Sequence, residues 1–152
     1  MKEIDEYFKP YRDLKSRIRE KKYELEELEK NMYYVNAVSF SDVTKTTHRT
    51  NDKLACMIQD KDELIGKIRE LEKEKNVLED NHIKDIYKID NEKYRTVLRS
   101  YFINDLSIER ISALLKVSSK HVYKLNAKAE ESLYEMILND TNWETMIQAK
   151  DI

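Results

Sequence analysis

The chain has 152 residues, 38 % of them charged and 40 % hydrophobic, with a formal net charge of -2 at pH 7. One Gly and one Pro exclude collagen, Pro-rich linkers and folds that need many tight β-turns. The single cysteine, Cys56, excludes an intramolecular disulfide, and no apolar run approaches the roughly 18 residues of a membrane span, so the expected location is the cytoplasm, with no membrane partner.

A seven-residue step from Ile4 meets Tyr11, Ile18, Leu25 and Met32, and the companion positions are Tyr7, Leu14, Lys21, Leu28 and Val35. This is an a/d seam with one polar member, Lys21. Pro10 interrupts it early. A proline is best tolerated in a first helical turn, so the helix is expected to start near Lys9 or Pro10, after a separate turn. The stretch NAVSFSDVTKTTHRTND, residues 36–52, is rich in Ser and Thr and lacks periodicity, which predicts a partly disordered loop. A second seam follows, with Leu54, Met57, Leu64, Ile68, Leu71 and Leu78 broken by Lys61, Lys75 and His82. Asn51 and Asp52 are the expected N-caps, and this helix should run to about Lys88.

Each seam is too narrow for a globular core, so each helix needs a partner. Residues 1–90 are therefore expected to form an antiparallel helical hairpin, with a parallel dimeric coiled coil as the rival. The seam carries no chemistry. Its expected role is to set spacing or to join copies into a homo-oligomer, through Ile18, Leu25, Leu28, Leu64, Ile68, Leu71 and Leu78. Cys56 is expected as a small apolar residue at the helix interface.

From Asn91 the pattern changes to short helices. NEKYRTVLRSYFIND, LSIERISALL and SSKHVYKLNAKAEESLYEMI follow one another, with Val97, Leu98, Phe102, Ile108, Ile111, Leu115, Val117, Val122 and Leu125 as the expected core. Charge changes here too. Residues 91–130 carry eight basic and four acidic side chains, a local net of +4, whereas residues 131–152 carry one and five, a net of -4. Local potential rather than total charge steers a polyanion. Ser107 and Ser118 are placed to cap two successive helices. On the second of these, Val122, Leu125, Ala129 and Leu133 share an inner face, and Ser119, Lys120, Tyr123, Lys124, Ala127 and Lys128 share the opposite one.

This is a helix-turn-helix pattern spanning residues 91–138, in which the last helix enters the major groove of duplex DNA. Ser119, Lys120, His121, Tyr123 and Lys124 are the expected base-reading positions; Ser118, Lys128, Arg110, Lys116, Arg95 and Arg99 are the expected backbone contacts. Residues 139–152 form a tail in which Trp143, Met146 and Ile147 are spaced for one more short helix.

LSIERISALLKVSSKHVYKLNAKAEESL resembles the promoter-binding fourth region of bacterial sigma factors, and KLNAKAEESL is similar to its distal recognition helix. The whole layout resembles phage late-gene regulators of the RinA and ArpU type. The resemblance implies a sigma region 4-like domain after the helical hairpin or coiled coil, in a phage or prophage transcriptional activator that acts on duplex DNA and involves host RNA polymerase. Two positions depart from the pattern. Lys116 stands where Gly is usual, at a cost on the order of 1 kcal/mol for a left-handed backbone. Arg110 stands where an acid would complete a capping box.

Enzyme chemistry is not expected. One glycine, Gly66, cannot make a phosphate-cradling loop, and His48, His82, His121 and Cys56 lack metal-ligand spacing. No cofactor and no metal is expected. Two other functions fit an all-α chain of this plan: the small subunit of a phage DNA-packaging terminase, and a coiled-coil adaptor or antirepressor that binds no DNA.

Overall fold

The computed structural model describes the backbone of residues 1–41 and 47–140, and the side chains of 1–37 and 51–140. Among the described residues the protein is all-α. Helices α1 (Lys2–Ser41) and α2 (Thr47–Tyr87) are followed by α3 (Glu92–Leu98), a π-helical turn (Arg99–Ile103), α4 (Ile108–Leu115) and α5 (Ser119–Asn139).

Three expectations about the long helices are corrected. Pro10 lies inside α1, which starts at Lys2 rather than near Lys9 or Pro10. An interior proline removes the bond to the carbonyl of Glu6 and costs about 3 kcal/mol. The helix survives because Ile4, Phe8 and Tyr11 are almost fully buried on one face while Pro10 stays exposed on another. Most of the expected 36–52 loop is also helical, since α1 continues to Ser41 and α2 begins at Thr47. That stretch contains no Gly or Pro to break a helix. Asn51 and Asp52 thus lie within α2 and cap nothing. Residues 42–46, and the tail with Trp143, Met146 and Ile147, lie outside the described residues.

The chain divides into two compact units: Met1–Tyr11 with Val77 onward, and Arg12–Asn76. The expected boundary at residue 90 falls inside the first of these. The physical reason is that the start of α1 and the end of α2 carry large apolar side chains that pack with the short helices.

In the Arg12–Asn76 unit, α1 and α2 pair antiparallel. Lys22 Nζ meets Glu72 at 3.1 Å, and further along α1 Glu29 meets Lys61 at 3.6 Å. As the numbering rises on one helix it falls on the other, which rules out a parallel pairing between them. These exposed ion pairs set register more than stability. The seam does the packing: Leu14, Ile18, Ile68 and Leu71 are buried, and Lys21, Leu25, Leu28, Met32, Val35, Leu54, Met57, Lys61 and Leu64 are half-buried. Of the seven positions expected to join separate copies, Ile18, Leu25, Leu28, Leu64, Ile68 and Leu71 therefore lose exposure within a single chain. Cys56 is exposed, off the interface it was expected to fill.

In the other unit, two apolar clusters form. The larger contains Ile4, Phe8 and Tyr11 of α1, Ile86 of α2, Ile89, Leu98, Phe102 and Ile103, and Ala129, Leu133 and Ile137 of α5. Leu78, the seventh seam position, packs against it. Phe8 and Phe102 stack face to face, with centroids 4.3 Å apart and planes 11° from parallel. The smaller cluster joins Val97, Ile111, Val122 and Leu125, with Ile108, Leu115 and Val117 at its edge. The second cluster holds seven of the nine core residues expected from the sequence; the other two, Leu98 and Phe102, belong to the first, which also recruits α1, assigned by heptad periodicity to the hairpin alone.

Asn91 caps α3, its side-chain oxygen accepting from the backbone N–H of Lys93 and Tyr94 at 3.0 and 3.3 Å. The π turn closes with the N–H of Asn104 donating to the carbonyl of Arg99 at 3.0 Å. Asp105 then takes a left-handed backbone, φ 53°, which its short polar side chain tolerates better than most.

Candidate nucleic-acid interface

The geometry of α4, the following turn and α5 is set by a small number of polar contacts. Ser107 accepts from the N–H of Arg110 at 3.3 Å and starts α4. Lys116 ends it in the left-handed region, φ 57° and ψ 44°, with its N–H on the carbonyl of Ser112. The N–H of Val117 also reaches the Ser112 carbonyl, at 3.2 Å. The Ser112 hydroxyl donates in return to the carbonyl of Val117. Ser118 accepts from the N–H of His121 at 3.2 Å and starts α5. Three residues, Lys116, Val117 and Ser118, thus make the whole reversal between the helices.

Sequence reasoning does not single out Ser112. It staples both sides of the turn and compensates for the missing glycine at position 116. Its signature is a hydroxyl residue four positions before the left-handed one.

α5 has two distinct faces. Val122, Leu125, Ala129, Leu133 and Ile137 are buried. Ser119, Lys120, His121, Tyr123, Lys124, Ala127 and Lys128 are exposed, Tyr123 with 62 % of its surface open. Every base-reading candidate therefore lies on the outer side of the first turns of one helix. Ser118, Arg110 and Lys116, expected at the DNA backbone, are exposed beside them.

Ion pairing is mixed among the hairpin cations, for Arg17, Arg19, Lys67 and Arg69 form no ion pair among the described residues. Lys21, Lys22, Lys61 and Lys88 each have a carboxylate within 3.6 Å. Among the described residues Lys120, Lys124 and Lys128 form no ion pair, nor do Arg110 and Lys116.

Arg95 and Arg99 differ from the other expected backbone contacts. Arg95 is half-buried, and its Nη1 donates to the carbonyls of Ile89 and Asp90 at 2.7 and 3.1 Å. It fastens the segment after α2 to α3. Arg99 Nη1 donates to the Tyr87 hydroxyl at 2.8 Å. Both guanidiniums are thus held by the end of α2 and the residues after it.

Glu130 lies on the inner side of α5. Its buried carboxylate accepts from the Met1 ammonium at 2.9 Å and from Asn126 Nδ2 at 3.4 Å. Among the described residues no group of three or more His, Cys, Asp or Glu side chains is placed to hold a metal ion, and no helix is long and apolar enough to cross a membrane. Comparison of the chain with protein-family models, with curated proteins and with solved structures finds no match. The functional reading therefore rests on the surface of α5 and the turn before it.

Proposed function

We propose that the protein is a sequence-specific regulator of transcription that binds duplex DNA with the outer face of α5. The observation that carries this reading is the set of unpaired lysines, Lys120, Lys124 and Lys128, aligned with exposed Tyr123 on a helix that follows a three-residue turn. A helix so presented fits the major groove, with Ser119, Lys120, His121, Tyr123 and Lys124 at base edges. Lys128, Ser118, Arg110 and Lys116 hold the flanking phosphates. The likeness of residues 106–133 to sigma region 4 supports a promoter as the target and a phage or prophage late-gene activator as the specific role. Host RNA polymerase is the second partner in that reading.

The test is selection of DNA fragments by the purified protein, followed by anisotropy titration of the selected duplex. Affinity should fall with salt at a log–log slope of about -0.9 for each phosphate contact. Lys128→Ala should weaken all sequences alike and flatten that slope, whereas Lys120→Ala and Tyr123→Ala should change the preference among sequences. Failure of selection to enrich any sequence, or an affinity unchanged by the Lys120→Ala, Lys124→Ala pair, would sink the reading.

A further inference from the structure

A cleft of about 290 Å³ lies where the end of α2 meets α3 and the π turn. Ile83, Ile86 and Tyr87 supply its apolar lining, and Arg95 and Arg99 supply two positive charges. Each guanidinium is fixed through Nη1 alone: Arg95 to the carbonyls of Ile89 and Asp90, Arg99 to the Tyr87 hydroxyl. Neither forms an ion pair among the described residues, so Nη2 and Nε of both remain available. Arg99 also begins the π turn, and Ser100, the next residue of that turn, lines the same cleft. Such turns are rare and frequently mark functional sites. Two other cavities contrast with this one, for one is lined by Glu3 and Glu6 and another by Glu26, Glu29 and a single cation, Lys30.

We propose that this cleft binds a small phosphate monoester. Two pre-oriented guanidiniums match the oxygens of a phosphate through paired N–H donors. The aliphatic and aromatic lining receives the organic part of the ligand. The volume sits at the lower end of small-molecule sites, which sets the size of that part. Glu92 is the one carboxylate lining the cleft, and it disfavours ligands with a second anionic group.

The probe is phenyl phosphate, titrated into the full chain by calorimetry and followed by the Arg Nε–H resonances. Wild-type protein should bind saturably, with the Arg95 and Arg99 signals moving. Arg99→Gln should weaken binding by at least about tenfold, because it removes a charge-assisted donor pair. Glu92→Gln should tighten it. Tyr87→Phe, which loosens Arg99 but keeps its charge, should weaken binding less than Arg99→Gln. An unchanged melting temperature in Tyr87→Phe shows that the fold is intact. Absence of saturable binding up to about 10 mM would overturn the proposal, as would equal binding by wild type and Arg99→Gln. If phenyl phosphate fails to bind while Arg99→Gln flattens the salt dependence of DNA affinity, the arginines touch DNA and the monoester site is refuted.

Discussion

His82 provides the most quantitative test of the packing. The residue is 5 % exposed, and its ring is enclosed by those of Tyr7, Phe8 and Tyr11, with ring centroids at 4.5, 4.8 and 5.9 Å. Neither ring nitrogen has a hydrogen-bond partner. Burial pushes its pKa down from the ordinary 6.5 to about 4, against a smaller opposing pull from Asp85. The unfolded chain therefore takes up a proton as pH falls below 6.5, while the folded chain resists until about 4. Stability is present in full above 6.5 and is lost progressively between 6.5 and 4, by about 3 kcal/mol in total. Carboxylates titrate in part of the same window, so the readout is a difference between two proteins. His82→Leu removes the imidazole and both unpartnered nitrogens, and should be more stable than wild type at pH 7 by about 1–2 kcal/mol. Urea unfolding followed by circular dichroism at about pH 7, 6, 5 and 4.5 gives both curves. The gap between them should widen steadily as the pH falls. Parallel curves, or an imidazole resonance of His82 that titrates near 6.5, would refute the reasoning.

Three smaller effects follow from the helices. Gly66 is exposed within α2 and a Cβ there meets nothing within 4 Å, so Gly66→Ala should raise stability by about 0.5–1 kcal/mol in the same urea assay. Lys116 has φ 57°, so Lys116→Gly should raise stability by up to about 1 kcal/mol, measured by thermal melting. Ser118→Ala removes the N-cap of α5 and should cost about 1 kcal/mol, while Ser118→Asp should recover most of it.

The sequence by itself determined the helical class, the inner and outer faces of α5, the serine caps at 107 and 118, and the seam of the α1–α2 pair. Each of these follows from local periodicity or from a side chain bonding to its own backbone within a few residues. The left-handed Lys116 was legible for the same reason, as the residue in the slot usually held by glycine. Other features depended on partners distant in the chain. Pro10 stays helical because Ile4 and Phe8 are buried by residues far later in the chain, such as Ile86 and Phe102, which a local reading of proline does not reveal. His82 reads as a flaw in a heptad seam, yet it is enclosed by three aromatic rings from α1. Arg95 and Arg99 read as free cations, yet each is tethered to the end of α2 or the residues just after it. Periodicity reports which face of a helix is apolar, but only the folded chain decides which other element covers it.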